Sequence, residues 1–123
     1  MIEGVVNAAY EPIVTLDVQG PTGQADEIEA VVDTGFTGFL TVTPALVVEL
    51  GLRYLSRGWA SLADGSEVPF DVYDVTVLWD GRPVRVEADA ADTTPLVGMR
   101  LLDSHNLNID VENGGRVVIQ AKD

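Results

Sequence analysis

Cysteine is absent from this chain, and histidine and lysine each occur only once. The missing thiols exclude a disulfide, a thiolate nucleophile and a cysteine zinc site. His105 is the single histidine, so a site with several histidine ligands is excluded, and a serine-histidine pair could use this residue alone. We expect no metal and no cofactor. We expect His105 at the C-terminal end of a short helix, where the helix dipole favours it.

Basic residues are scarce. The chain carries 20 acidic side chains against seven lysines and arginines, which gives a formal net charge of −13. A chain this acidic repels phosphate backbones, so we expect no nucleic-acid partner. Two interpretations of the acidity stay open: it keeps the protein in solution, or it also attracts basic peptide segments.

Long apolar runs are missing as well. No stretch approaches the ~20 apolar residues that cross a bilayer. The start of the chain has Glu3 and no early lysine or arginine, so it lacks the basic flank of a secretory signal. We therefore expect a cytoplasmic protein with no membrane partner.

What the chain does contain favours strands. It has 123 residues, of which 46% are hydrophobic, and valines are numerous. That length can bury one adequate core and not two, so we expect a single domain over residues 1–123. Frequent β-branched residues and few helix-favouring runs predict an all-β domain with two short helices.

Alternation of apolar and polar residues, with turn residues between the runs, predicts strands linked by hairpins. A strand over 28–32 leads into Asp33. Thr43 and Pro44 are typical of a helix start, and this helix would end near Gly51. A second short helix is expected over 99–104. The other strands are expected at 13–18, 39–42, 59–62, 67–78, 84–89, 108–111 and 116–120. In the strand over 84–89 apolar and polar residues alternate strictly, so we expect one of its faces to be wet.

The most informative segment is 31–38, which reads Val, Val, Asp, Thr, Gly, Phe, Thr, Gly. An apolar strand delivers Asp33 into a tight turn of small residues, where its carboxylate can lie at the floor of a cleft. Such a carboxylate is a candidate for general acid or base work. The triplet alone is weak, because many strand ends place an acidic residue beside glycine to make a turn.

A second segment, 95–99, repeats the outline of the first: Pro, Leu, Val, Gly, Met. With both segments in place, the chain resembles the retropepsin-like aspartic proteases, and the soluble bacterial members in particular, over nearly its whole length. This resemblance implies a closed β-barrel half of the acid protease fold, with a flap hairpin and a homodimeric assembly.

A single aspartate has a chemical consequence. Carboxylate-catalysed peptide hydrolysis needs one group to accept a proton from water while a second donates one to the substrate carbonyl. Two close carboxylates cannot both ionise cheaply, so they share a proton and divide these roles. The second aspartate must come from a second chain, and a two-fold homodimer places Asp33 opposite its own copy.

The resemblance assigns roles to the residues around Asp33. Thr34 would turn its hydroxyl toward the opposing loop, and Gly35 would let the two backbones approach and offer an amide to the carboxylate. Gly98 would pack beneath this loop as a supporting residue. Other interpretations stay open, because Thr34 could be an ordinary hydroxyl at a strand end and Gly35 an ordinary turn glycine.

The hairpin formed by 59–62 and 67–78 resembles the flap that closes over substrate, although many hairpins have similar tips. In its second strand the apolar residues change from even-numbered to odd-numbered positions at Tyr73 and Asp74. This slip in parity predicts a bulge or bend there. An acidic Asp64 at the tip suggests a preference for basic substrates. The residues expected in the flap and at the substrate are Ala63, Asp64, Gly65, Phe36, Leu96 and Val97.

Some positions depart from the family pattern. Phe36 stands where the family usually has a small residue, so it could fill part of the cleft or pack in the core. Retroviral members brace an acidic residue after the motif with an arginine after the second glycine. Here those positions hold Thr37 and Met99, with Arg100 one place late, so we expect no such brace. The apolar chain ends could interleave with a second copy or form edges of the core.

These observations favour a homodimeric aspartic endopeptidase acting on peptide or protein substrates through paired Asp33 carboxylates. The alternative is a retropepsin-fold module that binds peptides or dimerises with little or no cleavage. A binding module has no chemical need for Asp33, whereas the enzyme depends on it. An unrelated β-barrel with a coincidental turn is the third interpretation.

Overall fold

A computed structural model describes residues 1–123 as a strand-rich chain with one helix. The predicted hairpin order is present, with a further strand at the N-terminus and a two-residue strand before Gly98. The elements are β1 (Ile2–Val6), β2 (Pro12–Gln19), β3 (Ala25–Val32), β4 (Leu40–Val42), α1 (Pro44–Leu50), β5 (Arg53–Ser61), β6 (Glu67–Trp79), β7 (Arg82–Ala90), β8 (Leu96–Val97), β9 (His105–Ile109) and β10 (Arg116–Ala121).

Six strands close into a ring. The order runs β6, β7, β4, β8, β3 and β2, and a further pairing joins β2 back to β6. Two of the contacts, β3 with β8 and β4 with β7, are parallel, and the other four are antiparallel. On one side β5 pairs with β6, and on the other β1, β10 and β9 continue from β2. The predicted closed β-barrel half is confirmed.

The ring encloses one apolar core. Along β2, Val14, Leu16 and Val18 are buried while Thr15 and Asp17 are exposed, as alternation predicts for a strand with one wet face. Side chains from both ends of the sequence meet in the same cluster of 21 buried residues. Members that are less than 2% exposed include Leu40, Leu50, Val75, Val77, Val97, Val117 and Ile119.

The predicted first helix is confirmed with its caps. Oγ1 of Thr43 accepts a hydrogen bond from the amide of Leu46 at 3.1 Å, and Pro44 occupies the first turn. Gly51 ends the helix at φ 60°, a left-handed conformation that glycine adopts without steric cost. No helix here has the length and apolar composition needed to cross a membrane.

The second helix predicted over 99–104 is wrong, because this segment forms turns. The amides of Leu101 and Leu102 both donate to the carbonyl of Gly98, at 3.2 and 3.3 Å, and Ser104 then adopts φ 64°. A left-handed residue cannot continue a right-handed helix. Both leucines are buried in the core, so tertiary packing decides the path of the segment. His105 consequently begins β9 and does not end a helix.

The irregularity predicted at Tyr73 and Asp74 lies on the neighbouring strand. Tyr54 pairs with Tyr73, but Ser56 pairs with Val72, so β5 carries one extra residue opposite this point of β6. Pairing of β6 with β7 runs through the same region without interruption. The parity slip in β6 therefore indicated the right place in the hairpin and the wrong strand.

The two chain ends pair with each other inside one chain. Ile2 lies opposite Ile119 and Gly4 opposite Val117, and β1 also pairs with β2. Val117 and Ile119 are completely buried. The apolar end strands therefore form core edges within this chain.

Candidate active site

The position of Asp33 is set by β8, which lies beside β3 in parallel register. Val32 pairs with Val97, and the amide of Asp33 donates to the carbonyl of Val97 at 2.9 Å. The aspartate is therefore the first residue past a strand whose end is fixed by hydrogen bonds from a neighbour. Its side chain is half-buried, with solvent still able to reach the carboxylate.

A local hydrogen bond orients the carboxylate. The amide of Gly35 donates to Oδ1 of Asp33 at 2.8 Å, and the amide of Phe36 donates to the Asp33 carbonyl at 3.2 Å. A Cβ added at Gly35 would lie 3.2 Å from that same Oδ1. Glycine at this position therefore leaves space for the Asp33 carboxylate. Thr34 and Gly35 are both exposed at the tip of the loop.

Gly98 lies directly beneath this loop and is buried. Its amide donates to the carbonyl of Phe39 at 2.9 Å. A Cβ at Gly98 would lie only 2.1 Å from the carbonyl oxygen of Gly38 and 2.7 Å from Cδ2 of Phe36. No side chain fits there without displacing the backbone that follows Asp33. The Phe36 ring also covers Gly38, where a Cβ would lie 2.6 Å from Cζ of the ring.

Thr41 is a site-supporting residue that the sequence analysis missed. It is the buried polar side chain of the core, 6% exposed, and its Oγ1 accepts a hydrogen bond from the amide of Leu96 at 2.8 Å. This bond fixes the start of β8, which in turn holds Asp33. A hydroxyl residue between the apolar Leu40 and Val42 was the signal available in the sequence.

A cavity of about 490 Å³ adjoins the Asp33 loop. The flap strands β5 and β6 cover it, and β7 and the segment after Asp33 form its other sides. Asp33 itself does not line the cavity, which begins at Phe36. The lining residues are Phe36, Thr37, Gly38, Phe39, Ser56, Gly58, Ala60, Phe70, Val72, Glu87, Asp89 and Arg100.

Among the residues expected to contact substrate, Phe36 lines this cavity and Leu96 is half-buried. Val97 is 0% exposed, so the expectation that it contacts substrate is wrong and it serves the core. Arg100 forms no ion pair, and its backbone amide donates to the carbonyl of Gly38 at 3.1 Å.

The flap tip is a closed turn away from the cavity. Ala63, Asp64 and Gly65 are exposed, and none of them lines it. Oδ1 of Asp64 accepts from the amide and the hydroxyl of Ser66, at 2.9 and 2.5 Å. The hydroxyl bond is the main reason why the pKa of Asp64 lies below its usual value. This carboxylate shapes the turn.

Two other carboxylates do line the cavity. Glu87 and Asp89 project from the same face of β7, the face that the sequence analysis predicted to be wet. Burial raises the pKa of the Asp89 carboxyl, and the charge of Glu87 raises it further. Nothing in the sequence of β7 indicated that the flap strands would cover this face.

Comparison with solved structures identifies similar folds. The retropepsin-like aspartic protease from Rickettsia conorii matches with a TM-score of 0.59 and 16% sequence identity, over 99% of this chain and 91% of that chain. EIAV protease, complexed with the inhibitor HBY-793, matches with a TM-score of 0.58 and 18% identity, over 78% of this chain and 88% of that chain.

No protein-family model matches the sequence, and no curated protein sequence is significantly similar to it. The likeness is therefore one of chain path and not of sequence. The chain has the fold of the retropepsin-like aspartic proteases.

Proposed function

We propose that this protein is a homodimeric aspartic endopeptidase that hydrolyses peptide bonds through a water molecule activated by two Asp33 carboxylates, one from each chain. The observation that carries the proposal is the Asp33 loop. In a retropepsin fold, it presents a half-buried carboxylate held by the Gly35 amide.

The reaction requires a pair. One carboxylate accepts a proton from the attacking water, and the other, protonated, donates to the substrate carbonyl oxygen as the tetrahedral intermediate forms. A two-fold axis beside the loop supplies both groups from one sequence, because the same residue lies on both sides of an isologous interface. Two such carboxylates hold one proton between them, since a second negative charge nearby is unfavourable.

Exposure of the loop tip supports this assembly. Thr34 and Gly35 are both exposed in the single chain, although they follow the buried end of β3, formed by Ala30, Val31 and Val32. The Thr34 hydroxyl is free to bond to the opposing loop of a second copy. Gly35 carries no side chain that would keep the two backbones apart. A second copy seated here would also shield the Asp33 carboxylate from bulk water.

Digestion of a diverse peptide mixture at several pH values tests the proposal. The parent chain, at a concentration where it is dimeric, is compared with Asp33→Asn by mass spectrometry. We expect cleavage by the parent and none by the variant. Asp92→Asn, in an exposed loop of the same chain, is the matched control and should cleave as the parent does. Identical products from parent and Asp33→Asn, or no cleavage at any pH by a dimeric sample, would refute an aspartic protease.

Mixing tests the shared site separately. If each active site takes one Asp33 from each chain, adding excess Asp33→Asn chain converts active dimers into mixed dimers that lack one carboxylate. Activity should then fall far below that of the same amount of parent chain alone. Specific activity of the parent should also rise with protein concentration. Activity independent of added variant and of concentration would argue for a site complete in one chain.

A further inference from the structure

The cavity beside the Asp33 loop owes its space to small residues on the flap. The residues of β5 that line it are Ser56, Gly58 and Ala60, so this strand contributes almost no side-chain volume. The ring of Phe70, on β6, lies against Gly58, where a Cβ would be 2.3 Å from its Cζ atom. Phe36 faces the cavity from the catalytic loop. Phenyl rings therefore form part of the cavity wall, opposite small residues and polar side chains.

The charged groups of the cavity are unbalanced. Glu87 and Asp89 supply two negative charges against the one positive charge of Arg100. None of the three belongs to an ion pair. The ion pairs of the chain use other carboxylates: Asp80 with the N-terminal amino group, Asp74 with Arg53 and Arg85, and Glu3 with Arg116.

Asp89 is the deeper of the two acids. It is half-buried while Glu87 is exposed, and one of its carboxylate oxygens lies close to Gly38, at 3.5 Å from the position of a Cβ there. A half-buried carboxylate without a counter-ion is unfavourable for the folded chain, since part of its hydration is lost without compensation. A cation entering the cavity would supply the missing charge.

Lysine and arginine side chains match the cavity, because each combines an aliphatic stem with a positive charge at its end. Their aliphatic stems can lie against the phenyl faces of Phe36 and Phe70, and their cationic ends are attracted by those faces and by a carboxylate at the end of the space. A neutral side chain of similar length would gain the apolar contact alone. An acidic side chain would be repelled.

We infer that this cavity is a side-chain subsite for lysine or arginine of a peptide substrate, and that Asp89 determines this specificity. The inference rests on the proposed protease function for its place in catalysis, because the cavity adjoins the loop that carries Asp33. It replaces the flap-tip Asp64 as the source of a preference for basic substrates, since that carboxylate is bonded to Ser66 outside the cavity.

The test measures binding with a chain that cannot cleave. Asp33→Asn is combined with Asp89→Asn, and each form is titrated with two synthetic peptide pools of random flanking sequence, one with a fixed lysine and one with norleucine in its place. The Asp33→Asn chain should bind the lysine pool about tenfold more tightly, since a charge-assisted hydrogen bond supplies that factor. Adding Asp89→Asn should remove most of the difference.

Three further variants make the outcome specific. Asp64→Asn, at the flap tip, should leave the lysine preference unchanged. Asp89→Glu should retain it, because the charge is kept. Arg100→Gln should increase it, because the competing cation of the cavity is removed. Two results would overturn the inference. One is a lysine preference that survives Asp89→Asn in a chain that unfolds at or above the temperature of the parent. The other is that neither peptide pool binds.

The two proposals fail separately. Lysine preference that depends on Asp89, in a parent chain that cleaves nothing, would leave the subsite standing and refute the protease. Cleavage that depends on Asp33, at sites with no basic residue and with no change in Asp89→Asn, would establish the protease and refute the subsite.

Discussion

The indole nitrogen of Trp79 donates a hydrogen bond to Nε2 of His105 across 3.2 Å, with the two rings edge-on at 74°. The other ring nitrogen, Nδ1, lies 2.8 Å from the carbonyl oxygen of Asp103 and donates to it. Both bonds form together only when the imidazole is neutral with its proton on Nδ1. This pair joins β6, in the closed ring, to β9, at the outer edge of the sheet.

Replacement of His105 should alter the surroundings of Trp79. His105→Leu removes the acceptor of the indole nitrogen and leaves that part-buried donor without a partner. In a Trp59→Phe background, the fluorescence of Trp79 should therefore differ between the parent and His105→Leu. Identical spectra would contradict the contact.

Substitutions at Gly98 and at Gly35 should affect stability and activity to different degrees. Gly98→Ala puts a Cβ 2.1 Å from the Gly38 carbonyl oxygen, so the chain must shift and lose about 1–3 kcal/mol of unfolding free energy. Gly35→Ala meets only the Asp33 carboxylate, at 3.2 Å, so it should cost less stability while displacing the proposed catalytic group. Thermal unfolding and peptide cleavage of both variants check this. Equal loss of stability in the two would contradict it.

Thr41 should act on the site through β8. Thr41→Val keeps the shape of the side chain but leaves the part-buried amide of Leu96 without its acceptor, at a cost of about 1–3 kcal/mol. Thr41→Ser retains the hydroxyl and should be closer to the parent. Hydrogen exchange of the Leu96 amide is the direct measurement. The proposed role of the hydroxyl is wrong if Thr41→Val protects this amide as well as the parent does.

Asp89 should make folding less favourable at neutral pH. Its carboxyl has a raised pKa in the folded chain, so the folded state holds the proton more tightly than the unfolded state does. Stability contributed by this group therefore increases as pH falls through the folded pKa and is lost at higher pH. Asp89→Asn should raise the unfolding temperature at neutral pH. The gain in unfolding free energy should be less than about 1 kcal/mol, because solvent screens a half-buried charge.

The same substitution should have almost no effect in acid, where Asp89 is protonated and resembles asparagine. Unfolding temperatures of parent and variant measured against pH should therefore converge as the pH is lowered. Glu67→Gln, on an exposed part of β6, serves as the control for removing one negative charge from this acidic chain. Curves that stay equally separated at all pH values would contradict the shifted titration.

Local sequence features predicted the parts of this fold that depend on local chemistry. Alternation placed β2 and β7, and the cap residues Thr43 and Gly51 placed α1, because each signal lies within its own element. The segment after Gly98 has a helical pattern, yet Leu101 and Leu102 are drawn into the core and Ser104 turns the chain. Its path depends on distant residues that no local pattern records.

The candidate site also has a part that the sequence predicted and a part that it did not. The loop around Asp33 was recognised because an apolar strand, an acid and a glycine follow one another in sequence. The acids of the cavity, Glu87 and Asp89, looked like members of an ordinary wet face. They gained their surroundings only because β5 and β6 fold over β7 and Phe36 faces them from the far side of the cleft.

Closure of the ring also bears on how this protein folds. The hairpins β2 with β3 and β6 with β7 are close in sequence and can form early, whereas β8 must insert between β3 and β4 after a long stretch of chain has been organised. This long-range step is the one that gives Asp33 its backbone partner. Partly folded forms would retain much of the strand content without a correctly held carboxylate. Recovery of activity should therefore lag behind recovery of secondary structure during refolding.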